Sequence, residues 1–279
     1  MRKCWLILIM LVAGMVSAAG QGKIETKKFR LQALQEKITK VVMTGNDFRD
    51  GSIRQDVIAH WNISPFEFCT LDEFESLKKD GNWYFLVVTS GHFSGEIEPG
   101  IDFLSFVKGD PDAGEGVEGM LNIVSIPFGI SGVGTGREIA MLPALLDIIQ
   151  DFSLKAMERD LQGYSGLSIY NNPKKAKGKR ILFAEDDLSF RVGEDYKAGM
   201  KGNGTEIVPD DEADDAMIRG DEDTVVSYTV APVKPSSGSR CYKMLIDTGT
   251  HELIYFKRHH ISGKTGSGFL PEDISKLPK

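Results

Sequence analysis

The sequence predicts an α/β (α+β) protein made of two similar mixed-sheet units with flanking helices. Three observations lead to this prediction. Short apolar runs alternate with segments of helical period, the run 83–88 is apolar throughout, and the order of elements in 40–88 recurs about 139 residues later. Of the 279 residues, 41% are hydrophobic and 26% are charged, which is typical of a globular protein rather than a disordered or fibrous one.

The N-terminus has the pattern of an export signal. Met1-Arg2-Lys3 precedes the apolar run 4–13, and small residues follow at 17–20. The run is shorter than the roughly 20 residues that span a bilayer, so cleavage after Ala18 or Ala19 is predicted rather than a membrane anchor. We therefore expect residues 1–19 to be a signal peptide. The mature protein would be periplasmic or secreted, with no membrane span after signal removal.

The charge of the mature chain disfavours two classes of partner. Without Arg2 and Lys3, 31 basic residues face 40 acidic ones, a net charge of −9. Nucleic acids and anionic lipids both require basic surface, so neither is expected as a partner.

The first unit is predicted over residues 20–130. Its helices and strands are expected at 24–40 (helix), 41–43 (strand), 50–61 (helix), 66–69 (strand), 71–77 (helix), 83–88 (strand), 101–107 (strand) and 121–126 (strand). Thr70 and Glu73 form the sequence pattern of a capping box, which marks the start of the helix from 71. The run 83–88 shows no polar alternation and predicts a central strand covered on both faces.

A connecting region is predicted over 131–178. It contains a Gly-rich loop at 132–136, a long amphipathic helix from Glu138 to Leu161 and a basic linker that begins at Lys174. The second unit is predicted over 179–279 and ends in a β-hairpin of the strands 242–246 and 252–257.

The second unit repeats the element order of the first. When the chain is shifted by 139 residues, Asp47 coincides with Asp186, Glu67 with Glu206 and Gly81 with Gly220. Strand, helix, strand, helix and strand recur in the same order and spacing, and we interpret this as an internal duplication.

This order of elements is similar to that of the N-terminal domain of the Tol–Pal translocation protein TolB and of envelope lipoproteins of the curli-secretion type. The segments that carry the resemblance are 41–44, 53–61, 66–70, 71–77 and 83–88, and again 181–183, 205–208 and 224–230. It implies non-catalytic, protein-binding work in the envelope. The lipid anchor of the lipoproteins does not carry over, because it needs a cysteine just after the small residues at 17–20, whereas Cys4 stands at the start of the apolar run. The chain also resembles exported bacterial two-domain α/β proteins, from which no function transfers.

The segment Asp247-Thr248-Gly249-Thr250 after two apolar residues resembles the signature of aspartic peptidases. That chemistry needs two carboxylates that share a proton. Only 29 residues follow Thr250, too few for the rest of such a barrel. A hairpin turn in which Gly249 supplies a positive φ is the better interpretation.

Other local patterns are incomplete. Gly263-Lys264-Thr265 lacks the first glycine of a phosphate loop, and the loop 132–136 has Arg137 where a dinucleotide fingerprint has its third glycine. The acidic stretch 185–187 lacks the other members of a response-regulator pocket. His60, His92, His251, His259 and His260 show no zinc-site spacing, and the acidic stretches 110–118 and 210–223 lack the spacing of a calcium-binding EF-hand loop.

The sequence therefore predicts no catalytic residue, cofactor or metal ligand. Cys69 and Cys241 either form a disulfide or are separate buried thiols. We expect a non-enzymatic binding or scaffolding protein of the bacterial cell envelope. The alternative is a hydrolase or a small-ligand binder with a site in the cleft between the two units.

Overall fold

The computed structural model of the chain describes residues 30–31, 33–91, 100–158, 163–200, 204–235 and 238–278. They form two five-stranded mixed sheets with flanking helices, which confirms the predicted fold class. The predicted signal peptide at 1–19 and His92 lie outside the described residues.

The elements alternate as the sequence predicts. The strands are β1 Thr39–Val42, β2 Phe66–Cys69, β3 Tyr84–Gly91, β4 Ile101–Lys108, β5 Leu121–Ile130, β6 Arg180–Ala184, β7 Thr205–Val208, β8 Thr224–Val230, β9 Arg240–Asp247 and β10 Leu253–His260. The helices are α1 Asp47–His60, α2 Leu71–Leu77, α3 Arg137–Glu158, α4 Glu194–Met200, α5 Asp210–Arg219 and α6 Pro271–Ile274.

The two sheets have the same topology. The first has the order β2-β1-β3-β4-β5, and the second has the equivalent order β7-β6-β8-β9-β10. In each sheet the first three strands are parallel and the last two are antiparallel additions. This identity of strand order and direction supports two similar units.

The helix α3 lies in a central layer between the sheets. Most of its residues are buried, and it shares one apolar core with α1, α5 and the inner faces of both sheets. The helix α2 covers the outer face of the first sheet, whereas α4 and α6 cover the outer face of the second.

The two units present opposite faces to this central layer. The helix α1 is the first crossover of its unit, between β1 and β2, whereas α5 is the second crossover of its unit, between β7 and β8. Right-handed crossovers in opposite directions along a sheet place their helices on opposite faces. The cleft between the units is therefore lined by elements that are not topological equivalents.

Local sequence signals account for the helix boundaries. The Thr70 side chain accepts a hydrogen bond from the Glu73 N–H, and the Glu73 carboxylate accepts one from the Thr70 N–H, so the predicted capping box is confirmed. The helix predicted from Asp50 begins earlier, at Asp47, because the Asn46 side chain accepts a hydrogen bond from the Arg49 N–H.

The helix predicted over 24–40 does not extend beyond Arg30 in the described residues. Arg30 is helical, the 3-10 turn Leu34–Glu36 follows, and β1 begins at Thr39. Leu31 and Leu34 are fully buried in the central core, so their spacing reflects burial of an irregular segment rather than a helical face.

The two cysteines are separate buried thiols. Cys69 packs with Phe74 and Phe85 on the outer side of the first sheet, whereas Cys241 lies in β9 of the second and accepts a hydrogen bond from the Gly268 N–H. Burial raises the pKa of the Cys69 thiol to about 11 and that of Cys241 to about 12. Of the two interpretations of these residues, the structure has the separate thiols rather than the disulfide.

Across the described ranges, no helix has both the length and the apolar character that crossing a bilayer requires.

Candidate functional site

Three side chains from separate parts of the chain meet at the boundary between the units. His60 ends α1 in the first unit, Asp147 lies on the connecting helix α3, and His251 lies in the turn between β9 and β10 of the second unit. All three are half-buried. They form a cluster of titratable side chains that joins both units at the cleft.

Gln150 positions two members of this cluster. Its Nε2 donates to the His60 carbonyl oxygen at 3.0 Å and to Asp147 Oδ1 at 3.2 Å. Its Oε1 accepts hydrogen bonds from the N–H groups of Asn62 and Ile63. Gln150 therefore fixes the C-terminal end of α1 against α3, and it orients the Asp147 carboxylate so that Oδ2 points toward the histidines.

The turn that carries His251 is organised by Asp247. The Asp247 Oδ1 atom accepts hydrogen bonds from the Gly249 N–H, the Thr250 N–H and the Thr250 hydroxyl. Burial would raise the pKa of Asp247, but the hydrogen bonds from Lys179 and Thr250 outweigh it and lower the pKa. Both oxygens of this carboxylate in the peptidase-like segment are thus used, Oδ1 in holding its own turn and Oδ2 in pairing with Lys179 at 2.6 Å.

The predicted role of Gly249 in this turn is wrong. Gly249 is not among the residues with positive φ, whereas His251 has a φ of 56°. A non-glycine residue in the left-handed region is uncommon, although histidine tolerates it better than most. The unfavourable backbone conformation of this turn therefore occurs at His251, the residue whose side chain contacts Asp147.

The three donor groups are close enough to act together. The distance from Asp147 Oδ2 is 2.6 Å to His251 Nδ1 and 3.6 Å to His60 Nδ1. One donor atom of each residue lies within 4.8 Å of those of the other two. The first distance is a short hydrogen bond, whereas the second is too long for one. Two imidazoles and a carboxylate at these separations are also a donor set suited to a transition metal.

The cluster lies beside a cleft of about 660 Å³ that both units line. Its apolar rim includes two strongly exposed side chains, Phe48 of α1 (74% exposed) and Ile218 of α5 (68% exposed). Ile139 and Pro143 of α3 also line the cleft. Exposed apolar groups from both units thus face one space, as in pockets that bind small molecules.

The cleft has an acidic lining. Four aspartates line it together with a single arginine: Asp56, Asp211, Asp214, Asp215 and Arg219. The Arg219 guanidinium is already paired with Asp221 at 2.8 Å. The pKa of Asp56 is raised, because the effect of burial exceeds the opposing effect of the nearby His60. Asp214 is paired with Arg137 at 3.0 Å, and the excess of carboxylates that remains favours a positively charged ligand and opposes an anionic one.

A second polar cluster lies nearby, around Arg137 at the start of α3. The Arg137 side chain donates to Asp187 and to Asp214, each at 3.0 Å. Burial would lower the pKa of Arg137, but these two carboxylates outweigh it and raise the pKa. Asp187 also accepts hydrogen bonds from the Ser227 hydroxyl and the Thr229 N–H. These contacts satisfy the charges and join α3 to the second unit, so the cluster is structural.

Two of the remaining sequence motifs lie outside the cleft, whereas a third contributes to its wall. Asp187, from the receiver-like acidic stretch, belongs to the Arg137 cluster, and the cysteines lie within the two sheets. The Gly-rich loop 132–136 contributes Thr135 and Gly136 to the wall of the cleft. His60, Asp147 and His251 were not predicted as a site, because nothing in their local sequence indicates that they meet.

Comparisons with protein-family models, with curated proteins and with solved structures find no match to this chain. The resemblance to the TolB N-terminal domain and to curli-type lipoproteins therefore stays a prediction.

Proposed function

We propose that this chain is a binding protein that holds a small, positively charged ligand in the cleft between its two units. The observation that carries the proposal is the cleft itself: acidic groups and apolar rim side chains from both units converge on one space of about 660 Å³. A small-ligand binder is one of the alternatives that the sequence analysis left open. With the predicted export signal, the protein would act in the periplasm or outside the cell.

The experiment compares ligand-induced stabilisation in three forms of the protein. Thermal unfolding of the wild type is measured with a polyamine (spermidine), with ZnCl₂ and with an anion (citrate). A ligand that binds only the folded state raises the unfolding midpoint. We expect a shift with at least one cationic probe and none with citrate.

Two matched variants locate the binding. Ile218→Arg places a cation at the rim of the cleft, whereas Ile58→Arg makes the same change on α1 at a side chain that is 66% exposed but does not line the cleft. Ile218→Arg should reduce the shift and Ile58→Arg should leave it unchanged. Equal effects of the two variants, or no shift with either cation, would contradict the proposal.

Docking to another envelope protein, the function first predicted from the sequence, is the second candidate. The observation that favours it is Phe190, which is 69% exposed in a shallow groove with Leu188 and Ile261. A pull-down from envelope extract with the mature chain and with Phe190→Asp as baits tests it. Loss of a specific partner in the variant supports docking, whereas the same set of proteins with both baits contradicts it.

A further inference from the structure

We infer that His60, Asp147 and His251 form a binding site for a divalent transition-metal ion of the zinc class, held jointly by the two units. The inference rests on the proposed function and deepens it, because it names the positively charged ligand. Its basis is the convergence of two imidazoles and one carboxylate from three distant parts of the chain.

The two distances from Asp147 are near those that an ion requires, and the donor nitrogens of the two imidazoles lie within 4.8 Å of each other. With bonds of about 2.0–2.2 Å in tetrahedral geometry, neighbouring donor atoms lie about 3.4 Å apart. The separation of 3.6 Å between Asp147 Oδ2 and His60 Nδ1 already matches this value. The separation of 2.6 Å between Asp147 Oδ2 and His251 Nδ1 has to increase by about 0.8 Å, a small movement for a side chain in a turn.

A simple hydrogen-bonded link between the units does not account for the whole cluster. Asp147 and His251 alone would form such a link at 2.6 Å. His60 adds no hydrogen bond to it, because its Nδ1 lies 3.6 Å from Asp147 Oδ2, yet its ring is only 5.8 Å from that of His251. Its position is explained if an ion occupies the space between the three donors.

The groups around the cluster resemble the outer sphere of a metal site. Gln150 holds Asp147 Oδ1, so that Oδ2 remains for the ion. Asp247 holds the turn of His251 in its left-handed conformation. Such outer partners typically orient the ligands of a metal.

The donor set also indicates the class of metal. Imidazole nitrogen favours zinc and its neighbours, whereas magnesium and calcium prefer oxygen ligands throughout. Three protein ligands leave at least one coordination position open. Two of the ligands, His60 and His251, line the cleft. A second molecule that fills the cleft can therefore complete the coordination.

The test uses the whole chain without a histidine tag, after treatment with EDTA and dialysis. Titration with ZnCl₂ is followed by calorimetry, and titration with CoCl₂ by the visible absorption of the bound ion. We expect one equivalent of either metal per chain, and MgCl₂ or CaCl₂ at the same concentrations should not compete.

Three variants remove one ligand each: His60→Ala, Asp147→Asn and His251→Asn. Asparagine at 147 keeps the shape of the side chain, and at 251 it tolerates the positive φ. Each should weaken zinc binding at least about 10-fold. His260→Asn is the matched control, because His260 is exposed on β10 outside the cluster, and it should bind as the wild type does.

The outcomes separate this inference from the proposed function. Absence of zinc binding, or zinc binding that persists in all three variants, overturns the metal site. If spermidine still stabilises the protein and Ile218→Arg still reduces that effect, the cleft function stands without the metal. Loss of the cobalt spectrum in variants that unfold at the wild-type temperature supports the site independently of any folding defect.

Discussion

Two clusters built around an aspartate differ in ways that separate structural from functional polar groups. Asp273 is fully buried within the second unit, where it contacts the ammonium of Lys243 and, at 2.6 Å, that of Lys257. It also accepts hydrogen bonds from the Tyr255 hydroxyl and the Leu270 N–H. Asp147 is half-exposed, joins both units and is shared by two histidines at unequal distances.

The difference lies in how completely each carboxylate is used. The partners of Asp273 satisfy both of its oxygens inside one unit, and they fasten the C-terminal helix α6 onto β9 and β10. Burial of a charge is tolerated only with such pairing. Asp147 faces a cleft and retains capacity to bind. A saturated, buried cluster is thus a feature of stability, whereas an accessible and incompletely bonded one is a candidate site.

The largest expected effect is on the Asp273 cluster. Asp273→Ala leaves the fully buried Lys243 without its counter-charge, so the free energy of unfolding should fall by about 3–5 kcal/mol. Urea denaturation measures it. Glu272→Ala removes the neighbouring exposed carboxylate, which pairs with Arg191, and should cost at most about 1 kcal/mol. Similar losses in the two variants would remove the distinction between the clusters.

The acid dependence of stability should follow Asp273. Burial would raise its pKa, but Lys243 and Lys257 outweigh burial and hold the pKa far below its ordinary value of 3.8. Its contribution to stability is complete above that value and is lost as the pH falls below it. Burial lowers the pKa of Lys243, and its titration affects the free energy of unfolding only at alkaline pH.

This dependence is measured as the free energy of unfolding from pH 5 to pH 2.5. The decrease should be smaller in the double variant Lys243→Met, Asp273→Asn, which lacks both the buried cation and the titrating carboxylate. An equally steep decrease in the double variant would assign the acid sensitivity to other carboxylates.

The smallest expected effect separates the backbone role of His251 from its side-chain role. His251→Ala and His251→Asn both remove the imidazole, but alanine tolerates the φ of 56° less well than asparagine. His251→Ala should therefore be less stable than His251→Asn by about 1 kcal/mol. Thermal or urea unfolding of the pair tests this. Equal stabilities would show that the turn relaxes once the contact with Asp147 is gone.

The fold was largely predictable because its signals are local. The capping box of Thr70 and Glu73, the apolar run of β3 and the recurrence of element order each depend on short stretches of sequence. The helix predicted over 24–40 does not extend beyond Arg30 in the described residues, because the helical spacing of Leu31 and Leu34 also suits an irregular buried segment. The spacing of apolar residues indicates which side chains are buried, but buried side chains at helical spacing also occur in irregular segments.

The candidate site was not predictable in the same way. Asp147 and His251 are 104 residues apart and meet only because α3 lies between the sheets. The nearest sequence signal was the turn at 247–250, which correctly predicted a hairpin but gave the positive φ to the wrong residue. A site assembled from single residues in three distant parts of the chain leaves no characteristic spacing in the sequence.

The opposite orientation of the two sheets constrains how such a molecule could have arisen. In a two-fold symmetric dimer, both subunits contribute the same surface to their contact. Here unlike surfaces meet, as in head-to-tail association. If the units descend from one ancestor, their contact was not inherited from a symmetric pair. The outer faces are covered within each unit, by α2 in the first and by α4 and α6 in the second. Fusion through α3 buries the two unlike inner faces in one core.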